Sequence, residues 1–209
     1  HREGSISFAR FMEFALYHPG HGYYERSPLL MGTAGDFYTS PTVGRLFGEL
    51  LAFQFAEWLE ALPSGPPVQL VEAGAHDGQL AADILSWLGK NRPRLSEQVP
   101  YWIIEPSERR QDWQRATLKR FGDQVQWYPG FAALPDRGIA GILFSNELLD
   151  AFPIERFGWD VASQAWFEWR VQCSSAGFAW HPQPVASLEA LERRFGDSGW
   201  EVPDALKAV

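Results

Sequence analysis

Residues 68–83 read VQLVEAGAHDGQLAAD. Val68, Leu70 and Val71 form a short apolar run with β-branched ends that Glu72 closes. Gly74 and Gly78 follow, and then Leu80, Ala81, Ile84, Leu85 and Leu88 recur at helical spacing. The pattern predicts a strand, a tight glycine turn and a helix. Such a turn lets a ligand approach the backbone closely, and the N–H groups that open the helix favour an anionic or polar ligand group. A plain β–α connection without a ligand fits this stretch equally well.

Working outward, residues 63–67 (PSGPP) read as a linker that separates a helical N-terminal part from an α/β part. On the other side, 101–105 (YWIIE) is a second buried strand ending in an acid. Glu105 lies one βαβ unit after the glycine turn, where an acid accepts hydrogen bonds from ribose hydroxyls in dinucleotide and related folds. Ser107 is placed to cap the next helix. Residues 125–127 are a short third strand, and 139–144 a fourth, apolar throughout and therefore expected to be buried on both faces. The fourth runs into Ser145, Asn146 and Glu147, followed by Leu148, Leu149 and Asp150. Ligands sit at the carboxyl ends of parallel strands, so Glu72, Glu105 and the Asn146–Glu147 pair converge on one crevice.

In the N-terminal part, Phe8, Phe11, Met12, Ala15 and Leu16 make a helical stripe with Ser5 or Ser7 as N-cap. Residues 43–62 make a longer stripe that opens at Ser40-Pro41. His18 and His21, three apart, lack the carboxylate or Cys that a metal set would need. After Ile154 the pattern alternates: 155–157 and 165–171 read as an antiparallel hairpin, 178–180 as a further strand, and 188–195 as a helix in the tail. Three parts are expected: a helical cap over 1–65, an α/β core over 66–153, and an aromatic hairpin with its tail over 154–209.

The chain has 209 residues, 45% of them apolar, with ten Trp and fifteen Phe. That is enough for a core, and the aromatics suit either that core or a recognition surface. A net charge of −8 argues against a nucleic-acid or anionic-membrane surface. Cys173 is the sole cysteine, which rules out an internal disulfide and points to a reducing compartment. No apolar run reaches the length of a membrane span. The start at His1 rather than Met is read as a trimmed or processed segment.

The order Glu72-Ala73-Gly74-Ala75-His76-Asp77-Gly78 resembles motif I of class I S-adenosylmethionine-dependent methyltransferases. It departs from the G-x-G-x-x-G of nicotinamide oxidoreductases, a weaker alternative. The chain as a whole resembles the MidA family, methyltransferase-like proteins that include the mitochondrial complex I assembly factor described as a protein-arginine methyltransferase. The segments that carry this are 6–8 through 17–19 with 22–24, 35–41 (GDFYTSP), 46–49 (LFGE), the glycine turn, 105–107 (EPS) and 146–153 (NELLDAFP).

The resemblance implies a Rossmann-like class I methyltransferase sheet with a helical N-terminal extension and an antiparallel hairpin insertion, from which the C-terminal strands of the fold are missing. It also implies that Glu72, Gly74, Ala75 and Gly78 surround the aminoacyl end of S-adenosylmethionine, that Glu105 binds its ribose, and that the 35–41 loop with Asp36 and Thr39 closes over it. Asn146 lies where the cofactor meets the methyl acceptor. Glu147 and Asp150 are the candidate catalytic carboxylates; capping or turn roles for Asp36, Thr39 and Asp150 stand beside these. Two departures from the family pattern matter: His76 replaces the middle glycine, and Asp77 replaces a basic residue.

Two functions follow. One is an enzyme that methylates protein arginine on a complex I-type subunit, in bacterial cytoplasm or the mitochondrial matrix, with a homodimer possible. The other is a non-catalytic scaffold for a protein partner, in which His76 and Asp77 mark a degenerate cofactor site. Neither involves nucleic acid or membrane insertion.

Overall fold

The computed structural model describes residues 4–26, 44–63, 67–136 and 138–185. The chain divides into two compact units, residues 23–151 and residues 1–22 with 152–209.

The larger unit is built on a parallel sheet. Its strands are β2 (Gln69–Ala73), β3 (Tyr101–Ile104), β4 (Val125–Tyr128) and β5 (Gly141–Ser145), numbered after a first strand in the other unit. Their spatial order is β4-β3-β2-β5, all neighbours parallel. β2 is buried at every residue, as is β3. Alternation sends Leu70, Tyr101 and Ile103 to one face, where α3 (Leu46–Ala61) and α4 (Gln79–Asn91) supply Ala52, Phe55, Leu59, Leu80, Ile84, Leu85 and Leu88. Val71, Ala73, Trp102 and Ile104 form a smaller cluster on the other face with Tyr128, Ile139 and Leu148. Gly48 lets the two helices approach closely: a Cβ there would lie 2.7 Å from the Cβ of Asp83.

β5 departs from expectation. It is half-exposed along its length, with Leu143 48% accessible. Its apolar residues suit burial on both faces, but among the described residues it pairs only with β2, so it is an edge and its outer side is uncovered. Between β2 and β3 a second, short helix, α5 (Pro93–Gln98), follows α4 and is opened by proline at its first position. α6 (Glu108–Leu118) is capped by Ser107, whose Oγ accepts from the Arg110 N–H, as expected.

The second unit centres on β7 (Ala165–Ser174). Residues 167–174 pair with β8 (Gly177–Pro184), and 165–168 pair with β6 (Phe157–Asp160). Residues 170–172 pair with β1 (Ser5–Ser7), which the sequence did not reveal as a strand. All pairings are antiparallel, so β6 and β1 share the β7 edge that β8 leaves open. Ser7 ends β1 and also caps α1 (Phe8–Tyr17), its Oγ accepting from the Arg10 N–H. The apolar stripe of α1 meets β8 through Phe8 with Trp180 and Phe11 with Phe178, ring centroids 5.0 and 5.2 Å apart. His18 and His21 stack on one another, and His18 Nδ1 accepts from the Gly20 N–H, a turn role. The tail helix expected over 188–195 and the start of the long helix at Ser40-Pro41 lie outside the described residues, as does residues 64–66 of the linker.

Candidate functional site

The site is assembled by register. Ala73, the last residue of β2, stands opposite both Ile104 of β3 and Ser145 of β5. Gly74, Glu105 and Asn146, one residue on in each strand, therefore emerge side by side at the carboxyl edge of the sheet. The three segments singled out in the sequence meet there.

The turn after β2 is left-handed at three positions. Gly74 has φ 74°, His76 φ 47° and Gly78 φ 84°. A Cβ at Gly74 would come 2.6 Å from Leu148 Cδ1, so a side chain there would displace that leucine. His76 holds a conformation that glycine adopts freely and an L side chain adopts at a cost of about 1 kcal/mol. The substitution at the middle glycine thus leaves the backbone in a glycine-like path. Asp77 Oδ1 accepts from the Gln79 N–H at 3.0 Å, just before the first turn of α4. Burial would raise the Asp77 pKa, but hydrogen bonds from His76 and the Gln79 N–H outweigh it and hold the carboxyl below its usual value. A fixed negative charge therefore sits where the helix opens.

Glu72 points to the α3–α4 side and is fully buried, with Tyr101 donating to its Oε2 at 2.7 Å. Desolvation pushes its pKa up to about 7, although the Tyr101 bond opposes the rise. Burial and the adjacent carboxylate push the Tyr101 phenol well up in turn.

Glu105 is 1% exposed and sits in a polar cluster. Its Oε1 accepts from Arg110 Nε and Nη2 at 2.9 and 2.7 Å and from the Ser107 N–H at 2.9 Å. Arg110 Nη1 donates to Glu25 Oε1 at 3.0 Å, and Ser107 Oγ donates to Glu25 Oε2 at 3.0 Å. Glu25 belongs to α2 (Tyr23–Arg26), a single helical turn. Gln114, fully buried, donates to the His76 carbonyl at 3.0 Å and accepts from Trp127 Nε1 at 3.0 Å, which ties the glycine turn to α6 and β4.

Glu147 and Asp150 are exposed and follow β5, Glu147 with φ 49°. Both act on Tyr24 of α2: its phenol is raised first by burial, then by Asp150, with Glu147 adding a little and Arg110 opposing. Asn146 is half-buried. Asp36 and Thr39 lie outside the described residues.

Sequence reasoning missed Tyr24, Glu25, Arg110 and Gln114. For Arg110 and Gln114 the available signal was polar residues at helical spacing: with Gln111 and the apolar Leu118 they make the buried face of α6. A search for apolar stripes passes over it.

A parallel sheet of order β4-β3-β2-β5, with a glycine turn after β2 and an acid after β3, defines a Rossmann-like fold of the class I methyltransferase type. A family model described as S-adenosyl-L-methionine-dependent methyltransferase matches residues 50–206. The protein arginine methyltransferase NDUFAF7, mitochondrial, of Danio rerio is 33% identical over 177 residues, 74% of this chain and 40% of that protein. Its Mus musculus counterpart is 31% identical over 196 residues, 78% of this chain and 44% of that one. A crystal structure from Burkholderia thailandensis bound to S-adenosyl-homocysteine superposes with TM-score 0.71 at 32% identity, over 92% of this chain and 49% of that one. The chain belongs to the MidA-like family of S-adenosylmethionine-dependent methyltransferases. It spans less than half the length of these relatives.

Proposed function

We propose that the protein is an S-adenosylmethionine-dependent methyltransferase whose acceptor is a protein arginine, on a subunit of a respiratory complex I-type assembly. The observation that carries this is the register that brings Gly74, Glu105 and Asn146 level at the carboxyl edge of the sheet. The relatives' names supply the acceptor class and the mitochondrial alternative to a bacterial cytoplasm.

The residues present fit the cofactor. Among the described residues Glu105 Oε2 has one hydrogen-bond partner, the Gln114 amide at 3.4 Å. A buried carboxylate oxygen so poorly supplied suits the hydroxyls of a ribose. The glycine turn, with Gly74, Ala75 and Gly78, would take the aminoacyl end, near Glu72. Asp36, Thr39 and Asn146 would contact the cofactor, Asn146 where it meets the acceptor. The cofactor supplies an activated methyl on a sulfonium. The protein's own task is to align the acceptor nitrogen and take its proton, which is chiefly positioning. Glu147 and Asp150 are the carboxylates proposed to hold the guanidinium and accept that proton. In this reading residues 154–209 hold the aromatic part that binds the protein substrate. A homodimer is compatible with it.

A second reading, a partner-binding scaffold without catalysis, is favoured by Asp77: its carboxylate takes the Gln79 N–H and would oppose the cofactor's own carboxylate. Calorimetric titration of S-adenosylmethionine into the protein separates the two. Binding near micromolar, about 8 kcal/mol, that is lost in Glu105→Ala supports the enzyme. A folded protein that takes up neither S-adenosylmethionine nor S-adenosylhomocysteine leaves the scaffold.

A further inference from the structure

Three hydrogen bonds converge on one oxygen of Glu105. Oε1 receives Arg110 Nε, Arg110 Nη2 and the Ser107 N–H, all within 2.9 Å, while among the described residues Oε2 has only the Gln114 amide at 3.4 Å. An arginine that meets a carboxylate fork to fork shares its two nitrogens between both oxygens. Here both nitrogens serve the same one. The reason lies on the far side of the guanidinium, where Nη1 is held by Glu25 Oε1 at 3.0 Å and Glu25 Oε2 is fixed by Ser107 Oγ. Ser107 thus touches both acids, its N–H on Glu105 and its hydroxyl on Glu25. Arg110 is 9% exposed and Glu25 7%, so the arrangement is shielded from water and its geometry is stiff.

We infer that Arg110, anchored by Glu25, is a positioning residue that saturates Glu105 Oε1 and so reserves Oε2 for the vicinal hydroxyls of a ribose. The inference rests on the cofactor reading proposed above and adds two residues to it. Neither needs to touch the ligand. Arg110 also places its charge 2.7 Å from the buried Glu105, so the carboxylate's hydrogen bonds are charge-assisted. Glu25 lies 85 residues from Arg110 in the chain, so the short helix α2 acts on the cofactor site through this arginine.

The test is a ratio of affinities. S-adenosylhomocysteine and its 2′-deoxy analogue are titrated calorimetrically into the wild type, Arg110→Met, Arg110→Lys and Glu25→Gln, with folding checked by circular dichroism. The wild type is expected to prefer the ribose form by about tenfold or more, the scale of a hydrogen bond to a charged acceptor. Arg110→Met is expected to bring the two within about twofold of one another. Arg110→Lys retains charge but cannot place two nitrogens on one oxygen, and is expected to fall between. Glu25→Gln is expected to fall there too.

A purely structural role would weaken both ligands equally and leave the ratio unchanged. Folded Arg110→Lys and Glu25→Gln variants with the wild-type ratio overturn the inference alone, and they decide the matter should Arg110→Met fail to fold. A wild type that binds S-adenosylhomocysteine without preferring ribose overturns it together with the role given to Glu105. A wild type that binds neither ligand overturns it together with the proposed cofactor.

Discussion

Replacing Glu72 by glutamine should change how stability depends on pH. Glu72 is a carboxyl near the end of the central strand β2, fully buried, with one hydrogen bond among the described residues, from Tyr101. Its folded pKa is about 7 against 4.5 for an ordinary glutamate. A raised carboxyl contributes its full share below the unfolded pKa, where both states carry the proton. That share is lost as pH rises toward the folded pKa, because the unfolded chain ionises freely and the folded one resists. At about 1.4 kcal/mol per pH unit, the rise from 4.5 to about 7 amounts to roughly 3 kcal/mol lost between pH 4.5 and 7 and level above.

Glutamine has the same shape, still accepts from Tyr101 and does not ionise. Its added amide donor can cost about 1–3 kcal/mol if it finds no acceptor, but that cost does not vary with pH. The stability difference between variant and wild type should therefore be flat below about pH 4.5, move about 3 kcal/mol in favour of glutamine by pH 7 to 8, and then level. Urea unfolding followed by tryptophan fluorescence from pH 4 to 9 measures it, and a carbon-13 titration of the carboxyl gives its midpoint directly. Tyr101→Phe removes the bond that holds the pKa down and should move the midpoint higher. Parallel pH profiles for wild type and Glu72→Gln, or a carboxyl titrating near 4.5, would refute the reasoning.

Two further outcomes are expected. Gly48→Ala should destabilise the protein by about 1–3 kcal/mol in the same unfolding assay, because the new methyl lies 2.7 Å from the Cβ of Asp83, an atom that moves only with α4 itself. Asp77→Asn should cost on the order of 0.5 kcal/mol at neutral pH, since the group is partly exposed and screened. The folded pKa of Asp77 is depressed, so its contribution is present above the unfolded pKa and disappears as pH falls through the folded one; the two proteins should converge in acid.

The parallel sheet was legible because its signals are local. The runs at 68–72, 101–105 and 125–127 lie within a residue or so of β2, β3 and β4, and the turn glycines recur at positive φ. An apolar stretch bounded by turn residues decides for itself that it is a strand. Ser7 was legible as a cap for the same reason, but not as the end of β1, since that pairing partner lies more than 160 residues away. β5 shows the reverse error: its residues suit a central strand, and only its place at the edge of the described sheet exposes them.

The candidate site divides along the same line. Glu72, Gly74, Glu105 and Asn146 stand at strand ends, and strand ends follow from sequence. How Glu105 is loaded does not, because the guanidinium that saturates one oxygen comes from a helix whose buried face is polar, and that guanidinium is held by a glutamate 85 residues away. The raised pKa of Glu72 is likewise a property of burial, set by α3 and α4 closing over β2 rather than by any neighbour in the chain. Local spacing determined which acids reach the edge of the sheet; tertiary packing decided their protonation and the oxygen each has left to offer, since desolvation and long-range ion pairs exist only once the chain has folded.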